Sequence, residues 1–180
     1  KIPVTVKEGK TGDITNTATA TPEGGTPQSA SATASQNAFS FGDGQFTKNV
    51  SSMVANAGGQ ITYTLKYYNN SRYAGKYTKN DPLEFTDDFA KLNNLTVEDI
   101  TVKLNGKEQE KPDIQNVNGK VTVKYVGDVP AYGSVTVDIT CQIANDNSIE
   151  SIGKNTATLS HGSDKALTDD SDEVKISSVA

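Results

Sequence analysis

One nine-residue stretch decides the fold: it reads Val135-Thr136-Val137-Asp138-Ile139-Thr140-Cys141-Gln142-Ile143. Every second residue is apolar, and the residues between them are polar. Side chains alternate between the two faces of a strand, so this pattern predicts a half-buried β-strand. Cys141 falls on the apolar face, which favours a small buried side chain over a reactive thiol.

The same alternation recurs along the chain from about Phe39 onward. Asn105-Gly106 and Asn118-Gly119 predict two-residue hairpin turns, and no amphipathic helix is evident. The pattern predicts an all-β chain, an immunoglobulin-like β-sandwich of Greek-key type with seven to nine strands. Its inward positions predict a core of Tyr63, Leu65, Phe85, Val102, Val123, Val137, Ile139 and Leu159.

Composition narrows the functional classes. The 180-residue chain carries a net charge of −5, which argues against a nucleic-acid-binding surface. A single cysteine excludes an intrachain disulfide, and no stretch is long and apolar enough to predict membrane insertion in this segment. The chain shows neither a signal peptide nor a sorting motif, so we expect it to be part of a longer protein.

The first part of the chain repeats the last part. Asn16-Thr17-Ala18-Thr19 matches Asn155-Thr156-Ala157-Thr158 letter for letter, and Ile2 to Val6 is similar in character to Val135 to Ile139. We therefore expect residues 1–37 to be the C-terminal strands and linker of a preceding repeat, and residues 38–180 to form the immunoglobulin-like domain. The small-residue stretch from Thr21 to Ser35 is either a linker or a weak final strand.

Three polar residues lie in phase with apolar neighbours, and each is predicted to point into a core. They are Lys48 in Phe46–Val50, Asp87 in Leu83–Phe89, and Asn155 in Asn155–Leu159. A buried lysine, carboxyl and carboxamide can condense into a Lys–Asn isopeptide bond. The alternatives are that Lys48 reaches water at a strand end, that Asn155 caps a turn, and that Asp87 only pairs with Lys48.

The order of these motifs resembles a known family. Phe46-Thr47-Lys48, Gly59–Leu65, Phe85–Asp88, Val129–Val137 and Asn155–Leu159 are similar to the conserved repeat of bacterial surface proteins called the "domain of unknown function 11" class. That class is similar in fold to A-type modules of Gram-positive adhesins and pilins. The resemblance implies Lys48 and Asn155 as the cross-linked pair and Asp87 as the acid that promotes the reaction. Asp88-Phe89-Ala90-Lys91 departs from the usual pattern, which leaves the choice between Asp87 and Asp88 open.

Other candidate sites carry weaker signals. His161 is a lone histidine in a turn, and Asp43 and the acidic run Asp169–Glu173 lack the spacing of a calcium loop, so no metal or cofactor is predicted. Tyr67, Tyr68, Tyr73 and Tyr77 lie in or beside a polar loop and could form a ligand-facing patch, although packing at the rim is the simpler interpretation. Asn16 would need a lysine upstream of this chain, so we expect it to be unreacted.

The sequence therefore predicts a structural stalk or spacer module of an extracellular, cell-wall-attached bacterial adhesin or pilus-like protein. It is not expected to be an enzyme beyond one self-cross-linking event, and neighbouring repeats are its expected partners. A rival reading is an adhesin domain that binds a host matrix protein or a glycan through loops 68–82 and 105–119. A third is a carbohydrate-binding sandwich attached to an extracellular enzyme, against which the absence of tryptophan counts.

Overall fold

The computed structural model describes residues 12–36, 39–110 and 112–177. The chain divides into two compact units, Lys1–Phe39 and Ser40–Ala180.

The described residues of the first unit form a β-hairpin. Strand β1 (Gly12–Ala20) pairs antiparallel with β2 (Gln28–Gln36), so the stretch after Thr21 supplies a strand as well as a turn. Three pairs of hydroxyl groups are hydrogen-bonded across the two strands. They are Thr15 with Thr33 at 2.9 Å, Thr17 with Ser31 at 2.7 Å, and Thr19 with Ser29 at 2.7 Å. The predicted strand at Ile2–Val6 lies outside the described residues.

The second unit is almost entirely β-structure, with short 3-10 turns at Phe41–Asp43 and Phe89–Lys91. Its strands are β3 (Gln45–Val50), β4 (Val54–Asn56), β5 (Gln60–Tyr68), β6 (Gly75–Tyr77), β7 (Leu83–Asp88), β8 (Leu95–Leu104), β9 (Lys107–Glu108), β10 (Asp113–Val117), β11 (Lys120–Tyr125), β12 (Gly127–Val129), β13 (Ser134–Ile143), β14 (Ser151–Ile152), β15 (Thr156–Ser160), β16 (Leu167–Asp170) and β17 (Val174–Ser177).

Two five-stranded sheets form the sandwich. One has the order β10-β11-β7-β15-β16 and the other has the order β3-β5-β13-β8-β9. Smaller sheets, β14-β17-β4 and β12-β6, complete the unit within the described residues. The neighbours are mostly not consecutive in sequence, so the chain crosses repeatedly between the sheets, which confirms the predicted immunoglobulin-like class.

The core lies between the two large sheets. All eight predicted core residues are buried, and β13 alternates buried and half-exposed positions along its whole length. Phe46 on β3 and Phe85 on β7 face each other across the sandwich, with ring centres 6.1 Å apart. The period-two pattern therefore predicted correctly which face of each strand turns inward.

Both predicted hairpin turns are present. Asn105 and Gly106 join β8 to β9, and Asn118 and Gly119 join β10 to β11, all four with positive φ. Asparagine and glycine tolerate that backbone region better than other residues. In the part of the chain that the structure describes, no helix has the length and apolar character needed to cross a bilayer.

Candidate functional site: a buried lysine, aspartate and asparagine

The three polar residues singled out in the sequence meet at one point inside the sandwich. The Nζ atom of Lys48 on β3 lies 2.7 Å from Oδ2 of Asp87 on β7. The Nδ2 atom of Asn155, the residue before β15, donates a hydrogen bond of 2.5 Å to Oδ1 of the same carboxyl group. Asp87 therefore bridges the amine and the amide, one oxygen to each.

Local strand geometry accounts for this placement. Lys48, Asp87 and Asn155 are 3%, 1% and 7% exposed, so the interpretation that Lys48 reaches water at a strand end is wrong. Asp88 points to the opposite face, half-buried, with its Oδ2 3.4 Å from Lys91 Nζ. The strand register thus places Asp87, and not Asp88, against the lysine.

Burial weakens both charges of the pair. Desolvation lowers the pKa of Lys48 and raises the pKa of Asp87, while the attraction between them opposes each shift. The rings of Tyr63 and Phe89 lie over the amine, with their centres 5.1 and 5.2 Å from Nζ. The site therefore favours a neutral amine beside a protonated carboxyl more than water would.

The amide orientation differs from the simplest expectation. A carboxyl that polarises Asn155 would face its carbonyl oxygen, but the structure places Nδ2 there. The Oδ1 atom of Asp87 accepts this hydrogen bond, and an oxygen that carries no proton can only accept, so it faces the NH₂ side of the amide. In this orientation, Asp87 is beside the nitrogen that would leave as ammonia.

The acidic run near the C-terminus helps to build the site. The backbone N–H of Lys48 donates a 2.7 Å hydrogen bond to Oδ2 of Asp169, and the hydroxyl group of Thr156 donates a 2.6 Å hydrogen bond to Oδ1 of Asp170. Ser171 is buried, and its Oγ accepts a hydrogen bond from the backbone N–H of Asn155. The run is thus not simply a solvated loop, and sequence patterns gave no sign that Asp169 contacts β3.

Cys141 also lies in the core close to this site. It is fully buried, and burial raises the pKa of its thiol to about 12. The group therefore remains a thiol at neutral pH, as its place on the apolar face of β13 predicted.

The remaining candidate residues either pack within the fold or are exposed at its surface. The His161 ring packs edge-on against Tyr77, with centres 4.9 Å apart, and Asp43 is exposed in a 3-10 turn. Tyr67 and Tyr77 are core residues, so the four-tyrosine ligand patch is wrong for those two, whereas Tyr68 and Tyr73 are half-buried. Within residues 12–36, 39–110 and 112–177, no cluster of three or more His, Cys, Asp or Glu side chains is arranged to hold a metal ion.

Solved structures of other proteins have a similar fold, although no match is found by sequence. No protein-family model matches the chain, and no curated protein matches it in sequence. Among solved structures, the major pilin subunit BcpA of Bacillus cereus is similar over 89% of this chain and 47% of its own length, at 16% identity and a TM-score of 0.52. The full-length major pilin SpaD of Corynebacterium diphtheriae is similar over 72% and 34%, at 18% identity and a TM-score of 0.51.

An adhesin domain is similar to the same degree. The N-terminal domain of the Streptococcus gordonii adhesin Sgo0707 is matched over 75% of this chain and 32% of its own length, at 16% identity and a TM-score of 0.51. The chain thus has the immunoglobulin-like sandwich fold found in bacterial pilins and adhesins. It spans about half of the BcpA pilin and about a third of the other two. The resemblance to the "domain of unknown function 11" class stays a prediction.

Proposed function

We propose that the chain is a stalk module of an extracellular, wall-attached bacterial surface protein, stabilised by an isopeptide bond between Lys48 and Asn155. The observation that carries the proposal is the bridging carboxyl of Asp87, which contacts the amine with one oxygen and the amide with the other. A buried carboxylate needs a donor on its second oxygen, and here that donor is the amide whose carbon would be attacked. The fold shared with pilin and adhesin structures is compatible with a place on the cell surface.

The reaction can be written with all atoms balanced. Proton transfer from Lys48 Nζ to Asp87 Oδ2, across 2.7 Å, gives a neutral amine and a neutral acid in one step. The amine attacks Cγ of Asn155, and Asp87 passes protons from the attacking nitrogen to Nδ2, which leaves as ammonia. A new C–N bond replaces the old one. Asp87 still holds the proton that it took from the Lys48 ammonium, and it returns to the carboxylate when the released ammonia carries that proton away as ammonium. Because the fold holds the reacting groups together, proximity supplies much of the acceleration.

The bond would close a loop of 155 − 48 = 107 residues. By the loop-entropy relation for disulfides, a cross-link over about 100 residues stabilises a fold by about 4–5 kcal/mol. Unlike a disulfide, it cannot be broken by reduction. This would suit a surface protein whose single cysteine offers no internal disulfide.

Intact-mass spectrometry tests the proposal. The protein should weigh one ammonia less than its sequence, and Lys48→Ala or Asp87→Ala should restore the full mass and lower the thermal unfolding midpoint. Asp88→Ala is the matched control, since its carboxyl points away from the amine, and should keep the mass loss. A wild-type mass equal to the unmodified sequence would remove the bond from the proposal.

The hairpin unit supports a further part of the proposal, that residues 1–37 are the last strands of a preceding repeat. Deleting residues 1–37 should leave the second unit folded with an unchanged unfolding midpoint. Loss of folding in that truncation would show that the boundary is wrong.

A second candidate function is favoured by a surface cavity of 440 Å³. It is lined by residues on both sides of the start of β10 and by the 79–82 loop, and polar groups of Lys79, Gln109, Glu110, Asp113 and Lys124 lie in its walls. Cavities of this size hold small ligands, so a glycan or a host-peptide side chain could enter it. Binding on a glycan or matrix-protein array that is lost in a Lys79→Glu, Lys124→Glu variant would favour the adhesin function.

A further inference from the structure

An exposed tyrosine occupies a backbone position that glycine or asparagine ordinarily takes. In Pro130-Ala131-Tyr132-Gly133, Gly133 N donates to Pro130 O at 2.9 Å, and Tyr132 has a φ of 56°. A positive φ at the third residue of a turn is typical of type II turns, and a bulky side chain there is strained. Tyr132 is 60% exposed, so little packing within the fold offsets that strain.

The only arginine of the sequence lies beside this tyrosine. Tyr132 N donates to the carbonyl oxygen of Ser71 at 3.2 Å, which places the turn against Arg72. The guanidinium carbon of Arg72, which is exposed, lies 5.0 Å from the centre of the Tyr73 ring. Tyrosine and arginine are among the residue types enriched at the centres of protein interfaces.

A buried asparagine holds the two loops together. Asn69 is fully buried, and its Nδ2 donates to the carbonyl oxygens of Tyr73 and Pro130 at 2.8 and 2.9 Å. Its Oδ1 accepts the N–H of Ser71 at 3.0 Å. These hydrogen bonds hold the backbone that carries Arg72, Tyr73 and Tyr132, called here the proximal surface, which lowers the entropy cost of ordering the two loops on binding.

The proximal surface lies at the end of the second unit where the chain enters. Gln45, the first residue of β3, pairs with Tyr68, which pairs with Ser134. From Tyr68, β5 runs back to Gln60 at the opposite end, roughly 26 Å away at the usual rise per residue.

The opposite end, where the described chain finishes, exposes apolar and acidic groups. Met53 and Val54 are 62% and 56% exposed, and Lys175 of the last strand donates its N–H to Met53 O. Around them lie three exposed carboxylates and one exposed lysine. The distal surface is defined here as Met53, Val54, Glu150, Asp172, Glu173 and Lys175.

We infer that the proximal surface binds the distal surface of a second copy of this module, an inference that rests on the proposed stalk function and names its contact. The distal surface has an excess of carboxylates, which can pair with Arg72, and Met53 offers a thioether to the tyrosine rings. Because the two surfaces differ and lie at opposite ends, the contact does not close on itself and builds a linear stack. This joins the end where one module finishes to the end where the next begins.

Self-association of the full 180-residue chain tests the inference, by sedimentation velocity and by NMR line positions up to millimolar concentration. The wild type should associate weakly and more strongly at low salt. Tyr132→Gly should abolish association and also raise the thermal unfolding midpoint, since glycine accepts the positive φ. Arg72→Glu and Met53→Glu should each abolish association as well. Val117→Glu is the matched control, since Val117 is 65% exposed on β10, and should associate like the wild type.

Mixing variants distinguishes a head-to-tail contact from other modes. Arg72→Glu chains keep a working distal surface, and Met53→Glu chains keep a working proximal surface. Each alone should be monomeric, and the mixture should form one-to-one pairs and nothing larger. A wild type that stays monomeric, a Tyr132→Gly variant that still associates, or a Met53→Glu variant that associates normally would each overturn the inference. The isopeptide bond is tested separately by mass, so its loss would not be confused with these results.

Discussion

At the scale of single residues, the site combines groups that a protein interior rarely accepts. A buried ion pair regains little of its desolvation cost, and removing one partner leaves an uncompensated charge that costs about 3–5 kcal/mol. Lys48 and Asp87 both have fully buried side chains, so the pair is poor evidence for stability by itself. The proposed cross-linking reaction would consume both charges.

The Lys48→Met variant should show the pH dependence of a lone buried carboxyl. Burial raises the pKa of Asp87, so the folded state holds a proton that the unfolded state has lost. The free energy of unfolding should therefore fall as pH rises from the ordinary carboxyl range through the raised pKa. Urea unfolding across that range measures it, with Lys48→Met, Asp87→Leu as the control that lacks this slope. A stability that rises with pH relative to the control would contradict the assignment.

Asp169 should act as a positioning residue for the amine. Its side chain fixes the backbone N–H of Lys48, so it joins the strand carrying the lysine to the hairpin that begins at Asn155. Asp169→Ala loses one charged hydrogen bond, which should slow cross-linking about tenfold. The loss of ammonia with time after cell-free synthesis, measured by intact-mass spectrometry, gives the rate.

Two variants separate this role from a general loss of charge. Asp169→Asn keeps an acceptor oxygen and should restore most of the rate. Asp172→Ala removes an exposed carboxylate of the same run and should react at nearly the wild-type rate. Equal rates in Asp169→Ala and the wild type would show that Asp169 does not position Lys48 for the reaction.

At the scale of elements, two similar hairpin turns have different surroundings. Gly106 and Gly119 both have positive φ, but a Cβ on Gly106 would meet open space, whereas one on Gly119 would lie 3.1 Å from the backbone N of Ala90. The Gly119 carbonyl oxygen also accepts the N–H of Phe89, whose ring covers Lys48. The second turn therefore supports one wall of the site.

Alanine substitution should separate the two turns. Gly106→Ala should lower the free energy of unfolding by about 1–2 kcal/mol, the cost of a side chain in the left-handed region. Gly119→Ala should cost more, because the Ala90 backbone must also move. Urea unfolding of both variants measures the difference, and equal losses would mean that the 89–91 segment yields without cost.

At the scale of the whole molecule, the proposed bond links the first strand of the sandwich to the hairpin near its end. Force applied at the termini would then bypass the residues between Lys48 and Asn155. Pulled singly, the wild type should release a contour length shorter than Lys48→Ala by roughly 360 Å, the extended length of 107 residues. Asp88→Ala should behave like the wild type. Equal contour lengths would show that the residues between the two positions are not protected.

The sequence by itself determined the long alternating strands, their inward faces and the two Asn-Gly turns, but not the short strands β6, β9, β14 and β16, which carry little or no alternating pattern. It also predicted that Lys48, Asp87 and Asn155 point inward, because the alternation of side chains is a local property of an extended backbone. A one-residue error would have reversed the faces of β7, and the burial of Asp87 beside half-exposed Asp88 shows that the register was read correctly.

Only the tertiary structure decided which strands become neighbours and which polar groups meet. Three features depend on how the two sheets pack. Asp87 contacts both of its partners, Asp169 contacts the β3 backbone, and Tyr67 and Tyr77 are core residues. The position of Tyr132 beside the only arginine depends on it as well. Many strands here share one alternating pattern, and their pairing is selected by the burial and hydrogen bonding of the whole sandwich, which no local segment encodes.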